Sequence, residues 1–373
     1  MLVTILVFLL ILSVLVLIHE AGHFFVAKKL GIKVEEFGFG FPPRVFGKKI
    51  GETIYSLNLL PIGGFVKLYG EDDAGGGKIG SVKDFSKIKD KSVQRAFFAR
   101  PVWQRASVVI AGVVMNFLLS LVIISYLFSA QGVPIPGNQV IIAGVAKNSP
   151  AEKAGIKTND IFVTVNGIKI TEPKQVSAIT KQHLGQAMDV SVLRNKTIIQ
   201  HIMITPRLSS PVGQGAMGVE IAQNITIKKY PWYEAPVAGM QELFKETGMI
   251  LGGLGTLVSE VAIHRTVPKD LAGPVGIAQL TGQVVQNGVY AVLSLVSLLS
   301  LNLAVLNILP IPALDGGRLF FIIIEAVTGK KVNQKFESYT HIVGMVLLLT
   351  LIALITFHDI SRLVHGESLI PKP

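Results

Sequence analysis

The sequence predicts a polytopic α-helical membrane protein of about four transmembrane helices, with a membrane re-entrant β sheet and an inserted α+β module. Three observations carry this. Half of the 373 residues are hydrophobic, and a mean hydropathy of +0.54 is high for a soluble protein. The apolar residues gather in runs of about 20 or more, the length a helix needs to cross the hydrocarbon core. Between the second and third runs, Gly137 to Pro206 has ordinary polarity. The formal net charge of +11 does not point to nucleic acid, because the basic residues flank hydrophobic spans and no motif interleaves them with aromatics. They read as topology signals. The chain has no cysteine, so disulfides and thiolate ligands are excluded and any zinc must use His, Asp or Glu.

The first span, Leu2 to Ala27, is followed by Lys28 and Lys29. A signal peptide would carry its charges before the apolar run, so this is a retained helix with its N-terminus outside and its C-terminus in the cytoplasm. Everything from Leu2 to Ile18 except Thr4 and Ser13 is apolar, and the run leads into His19, Glu20, Ala21, Gly22 and His23. H-E-x-x-H on a helix sets two imidazoles on one face at the spacing one zinc ion needs, with Glu20 beside them as general base. Ionisable groups inside hydrocarbon are costly and mark function. The expectation is a zinc peptidase site within the membrane. At 1.5 Å per residue His23 lies about 8 Å from the lysine pair and His19 roughly 14 Å, so the site is nearer the cytoplasmic face.

Residues 28 to 105 are rich in Lys and Arg and read as a cytoplasmic loop. Within it, residues 34–69 alternate apolar positions (Phe37, Phe39, Phe41, then Tyr55, Leu57, Leu59), with breaks at Pro42, Pro43 and Pro61. This β-like stretch is too hydrophobic for an ordinary loop and is expected to re-enter the membrane beside the first helix. Asp72 to Gly80 reads as a flexible tip, and Phe97 to Gln104 as an interfacial segment anchored by Trp103. The second span, Ala106 to Ala130, closes an N-terminal membrane half over residues 1–130. Its small residues Ala111 and Gly112 permit close helix approach. Asn116 either makes a helix-packing hydrogen bond or acts beside the metal.

The inserted module, residues 137–206, contains Ser149-Pro150-Ala151, Ala154-Gly155-Ile156, Asp160-Ile161 and Val165-Asn166-Gly167. This run resembles the PDZ domain: strand, short helix, turn at Gly155, and a strand ending in an Asn-Gly turn. Pro173 to Leu184 is the expected groove helix and Met188 to Leu193 the next strand. The resemblance implies contact with an extended peptide or protein. Residues 207–287 read as a linker whose segment Tyr230 to Ile263 is an amphipathic helix on the outer membrane surface. A further transmembrane helix is the alternative there, disfavoured by Glu242, Lys245, Glu246 and Glu260. Residues 288–373 form a C-terminal membrane half. Its third span, Val289 to Ala326, is broken at Pro310 and Pro312 and carries Asn302, Asn307, Asp315, Gly316 and Gly317. Lys330, Lys331 and Lys335 put its end in the cytoplasm, and the last span, Ile342 to Ile360, returns outside. Both termini and the module then lie outside.

Two histidines leave zinc short of a third protein ligand. Asp315 is the candidate, being the only acidic residue between Val289 and Phe321. The first and third spans run in the same direction, so both elements reach the same membrane half. Glu325, close to Lys330, reads as an interfacial residue that reaches water. Together, H-E-A-G-H, the P-I-G-G-F-V-K run at Pro61 to Lys67 and N-I-L-P-I-P-A-L-D-G-G at Asn307 to Gly317 resemble the site-2 protease family of intramembrane zinc metalloproteases, in its regulator of sigma-E protease (RseP) group. The resemblance implies His19, His23 and Asp315 as zinc ligands, Glu20 as catalytic base, and Asn302 and Asn307 as substrate-binding residues. It also implies a bacterial cytoplasmic (inner) membrane location and single-span transmembrane substrates, either an anti-sigma factor or signal-peptide remnants. One departure is that well-known members of the group carry two tandem PDZ domains, and only one is legible here. Two rival classes remain. A transporter also uses broken helices and intramembrane polar residues, but no internal repeat supports it. A metal triad with a neighbouring base is also more than transport requires, and the other rival class is a non-catalytic PDZ scaffold in which the metal site is merely structural.

Overall fold

A computed structural model of the chain describes residues 2–71, 91–195, 198–260, 263 and 273–365. The chain divides into two compact units, residues 1–131 with 230–373, and residues 132–229. The expected tip at Asp72 to Gly80 lies outside the described residues.

In the first unit, helix α1 (Leu2–Lys29) runs uninterrupted through His19, Glu20 and His23, with no proline to break it. It ends where Gly31 takes φ +71, a left-handed position suited to glycine, and Lys28 and Lys29 in its last turn complement the helix dipole. Strands β1 (Val34–Ile50) and β2 (Thr53–Leu68) follow. The first half of β1 lies between two parts of β2, since Phe37 faces Tyr55 on one side and Val66 on the other. Register slips between Phe41 and Arg44, across Pro42 and Pro43. Residues 64–68 form a border of the sheet, paired only to β1 among the described strands. Phe24, Ala27, Ile32, Val34, Leu68 and Val108 bury together and join this sheet to the helices.

After the short helix α2 (Lys91–Gln94) and a 3-10 turn at Phe97–Ala99, helix α3 (Val102–Ala130) begins. Trp103, expected in a separate interfacial segment, therefore sits in the first turn of α3, exposed. The close approach expected at Ala111 and Gly112 is present: a Cβ on Gly22 of α1 would lie 2.4 Å from the Ala111 carbonyl oxygen.

The second unit begins with β3 (Val133–Val145), followed by the short helix α4 (Pro150–Lys153), β4 (Ile161–Val165), β5 (Ile168–Lys169), helix α5 (Pro173–Gln182), β6 (Met188–Arg194), β7 (Ile198–Ile204) and β8 (Val219–Lys228). The sheet order is β7-β6-β4-β3-β8, with β5 hairpinned onto β4. Ser149 caps α4 by accepting from Glu152 N–H, and Pro150 occupies its first position. Asn166 (φ +49) and Gly167 (φ +75) make the tight turn. Asp160 is buried. Burial alone would raise its carboxyl pKa, but the Arg194 guanidinium at 2.6 Å and Lys157 N–H hold it below the ordinary value. The unit is larger than residues 137–206, because part of the presumed linker, residues 219–228, pairs as β8 along β3. Alternation of Val219, Ile221, Ile225 and Ile227 with polar residues is its strand signal.

Back in the first unit, the amphipathic segment forms α6 (Ala235–Ser259), whose Leu243 buries with Ile124, Leu301 and Val305. Helices α7 (Pro274–Gln286), α8 (Val289–Ile308), α9 (Asp315–Thr328) and α10 (Gln334–Val364) complete it. The third span is thus two helices joined by the proline-containing turn. Among the described residues, α1, α3, α8 and α10 are the four helices long and apolar enough to cross a membrane. Glu325 does not reach water as expected. Its carboxylate lies 2.6 Å from Arg105 of α3, both side chains largely buried, because α9 packs on α3 and an unpaired carboxylate there would be costly.

Candidate metal centre and active site

The i, i+4 spacing on α1 puts His19 and His23 on one face, with Nε2 atoms 3.2 Å apart. Asp315 opens α9 and brings Oδ2 to 2.9 Å from His19 Nε2 and 3.3 Å from His23 Nε2. Gly316 permits this, since a Cβ there would lie 2.0 Å from the Leu309 carbonyl oxygen. Among the described residues, these three make the one cluster of His, Asp and Glu close enough to share a metal ion.

The residues fit zinc. Ligand atoms around a tetrahedral ion with bonds near 2.0 Å stand about 3.3 Å apart, close to the separations observed. Nδ1 of His23 is 2.7 Å from the Val108 carbonyl oxygen; donating its proton there leaves the Nε2 lone pair facing the cluster. Asp315 Oδ2 is buried with no ordinary hydrogen-bond donor. Nitrogen and carboxylate oxygen atoms converging at this spacing are what a bound cation satisfies.

A stripe on α3 surrounds the imidazoles. Val108, Gly112 and Asn116 are spaced i, i+4, i+8 and share one face. A Cβ on Gly112 would lie 2.3 Å from His23 Nε2 and 2.7 Å from His19 Cε1, so only glycine leaves room for both rings. Asn116 is fully buried, its amide nitrogen is 3.4 Å from His19 Nδ1, and its Oδ1 is otherwise unpartnered. Turned by 180°, the amide offers Oδ1 to the Nδ1–H that a ligating His19 carries. The Asn116 carbonyl also accepts from Ser300 Oγ at 2.8 Å, tying α3 to α8. The side chain thus faces the imidazole, while the tie to α8 is made by the backbone carbonyl.

Glu20 faces a cavity of about 220 Å³ lined also by His23, Phe65, Val66, Glu71, Asp315 and Arg318. Its Oε2 accepts from Val66 N–H at 3.0 Å, on the border of the sheet. At another wall, the Arg318 guanidinium pairs with the Glu71 carboxylate, which also accepts from Leu68 N–H. The two asparagines separate. The Asn307 amide nitrogen lies 3.5 Å from His19 Nε2. Asn302 is about 140° around α8 from it and donates to the Leu298 carbonyl within its own helix. Arg318, three residues beyond Asp315, falls just past the motif that ends at Gly317, and Glu71 carries no motif signal.

Apolar helices that gather two histidines and an aspartate, with a glutamate facing the adjoining small cavity, fit a metallopeptidase of the membrane. The chain belongs to peptidase family M50, whose sequence profile matches residues 7–351. It is similar to the regulator of sigma-W protease RasP of Bacillus subtilis, 32% identical over 96% of this chain and 99% of that protein. It is also similar to the zinc metalloprotease RasP of Geobacillus kaustophilus, 30% identical over 95% of this chain and 97% of that protein. The protein is accordingly a zinc metalloendopeptidase.

Proposed function

We propose that the protein hydrolyses a peptide bond within transmembrane segments of single-span membrane proteins. His19, His23 and Asp315 hold the zinc, and Glu20 is the base. Bound there, zinc supplies Lewis acidity, lowering the pKa of a water and polarising the scissile carbonyl. Glu20 would take a proton from the attacking water and deliver it to the leaving amine. Asn307, beside His19, donates to substrate backbone that hydrocarbon leaves unpaired. The Asn302 amide donates to the Leu298 carbonyl one turn back in its own helix, which favours an intrahelical hydrogen bond over substrate contact.

The observation that carries this reading is the hydrogen bond between Glu20 and Val66 N–H. It ties the base to the border of a sheet. A substrate helix must unwind before hydrolysis, and an extended strand added along residues 64–68 would pass both Glu20 and the ligand cluster. We read residues 34–69 as the re-entrant sheet that receives it. The unit over residues 132–229 is read as a PDZ domain, with β8 at the open edge of its sheet as the strand a peptide would join. Charge placement supports a bacterial inner-membrane topology with termini and PDZ domain outside and the site near the cytoplasm. An anti-sigma factor is the favoured substrate class, because the Bacillus subtilis relative is named a regulator of sigma-W.

The test is cleavage of a single-span substrate in proteoliposomes by the wild type and by Glu20→Gln. Loss of the base lowers the rate about 10²- to 10⁴-fold while bound zinc, measured by metal analysis, stays stoichiometric. Equal rates in the two proteins, or a cut mapped outside the membrane segment, would refute the proposal.

A further inference from the structure

The turn over residues 309–314 delivers Asp315, and α10 holds that turn from outside. Ala313 has φ +77, a left-handed backbone that residues with a Cβ rarely adopt and that persists only where its surroundings enforce it. Its N–H donates to Nδ1 of His341 on α10 at 3.0 Å. One helical turn on, Gly344 makes room for the same segment: a Cβ there would lie 2.3 Å from Pro312 Cβ and 2.8 Å from its carbonyl oxygen. The His341 ring also packs against Phe321 of α9, centroids 5.8 Å apart. Elsewhere α10 exposes Val343, Val346, Leu347 and Leu354.

We propose that His341 is a positioning residue for the metal centre. By accepting the Ala313 N–H it keeps the turn in the shape that brings Asp315 Oδ2 to both imidazoles, and Gly344 lets α10 come close enough for that bond. The inference rests on Asp315 being a zinc ligand. His341 acts through Ala313, a backbone group of the turn. Since Nδ1 accepts, the neutral ring carries its proton on Nε2. An asparagine offers an acceptor at the same remove from Cβ as Nδ1, whereas a glutamine offers it one bond further out.

The full-length protein in nanodiscs is compared as wild type, His341→Asn, His341→Gln and His341→Ala. Zinc affinity is read by chelator competition, and amide hydrogen exchange of residues 309–316 is read in the zinc-free protein. His341→Asn should stay within about threefold of wild type on both readouts, while His341→Gln and His341→Ala weaken zinc about tenfold or more, the range of outer-shell changes, and speed exchange of the turn. A His341→Ala protein equal to wild type on both, or a His341→Asn protein as impaired as His341→Ala, overturns the proposal. If His341→Ala does not accumulate, the Asn and Gln variants carry the comparison. Asp315→Asn is the control for the underlying reading. Unchanged zinc affinity in that variant would refute the ligand assignment, while the exchange data would still report on the brace.

Discussion

The proposed metal centre draws its candidate ligands from two elements that are held in opposite ways. α1 supplies His19 and His23 through helical spacing, so any regular helix of that sequence presents both rings together. Its surroundings only orient them, through the Val108 carbonyl and the space left by Gly112. Asp315 arrives on an irregular turn whose shape helical spacing does not set. That turn has a left-handed Ala313, no side chain at Gly316, and a hydrogen bond from the Ala313 N–H to a helix further along the chain. Ligands on a regular helix should be sensitive to crowding and little else. A ligand on an enforced turn should be sensitive to anything that loosens the turn.

Gly316→Ala is the sharpest way to break this contrast. Its Cβ would meet the carbonyl oxygens of Leu309 and Ile308 at 2.0 and 2.4 Å, both backbone atoms rather than the ends of flexible side chains. The turn must open and Asp315 must leave the cluster. We expect zinc affinity to fall more than about 100-fold, beyond the range of outer-shell changes, with the other helices intact by circular dichroism. Gly112→Ala is the matching test on the other side. Its Cβ would press on imidazole atoms, which can rotate at the expense of the 2.7 Å bond to Val108, so the expected loss is smaller, about 10- to 100-fold. If Gly316→Ala binds zinc like wild type, the turn is not enforced and the contrast fails.

A milder change sharpens the α1 side. Asn116→Ala removes the side chain facing His19 Nδ1 but leaves the ring in place, and should weaken zinc about tenfold. Asn116→Ser, too short to reach Nδ1, should behave as Ala does. If Asn116→Ala instead lowers thermal stability and leaves zinc affinity unchanged, the residue is a packing group and no more.

The same contrast governs what could be read in advance. H-E-A-G-H is legible because its geometry follows from spacing on one helix, and the long apolar helices are legible because length and composition alone define them. The turn signals at Ser149 and Asn166-Gly167 are equally local. Three features were not legible for one shared reason, that their partners are distant. β8 alternates as a strand should, yet its assignment depends on pairing with β3. Glu325 looked interfacial beside Lys330, yet its partner is Arg105 on α3. His341 gave no signal, because the group it serves is a backbone N–H that no sequence pattern marks. Asn302 and Asn307 looked equivalent because chain order does not say which face of α8 meets α1.

The smallest expected effect concerns how the end of α1 is anchored. Glu52, in the turn between β1 and β2, pairs with Arg95 at 2.7 Å and with Lys28 of α1 at 3.3 Å. The hydrogen bonds from Arg95 chiefly, then from Lys28, hold its carboxyl pKa down at about 2 against an ordinary value of 4.5. A folded-state pKa below the unfolded one means that the contribution is fully present above about pH 4.5 and is lost as pH falls toward 2. Both partners are partly solvated, so the worth at neutral pH is about 1 kcal/mol or less. Glu52→Gln should therefore melt slightly below wild type at pH 7, with the two curves converging between pH 4.5 and 2. Zinc affinity at pH 7 should not change, because helical spacing on α1 already fixes how its two imidazoles stand to each other. A zinc affinity that fell with Glu52→Gln would mean that α1, like the turn before α9, depends on distant support.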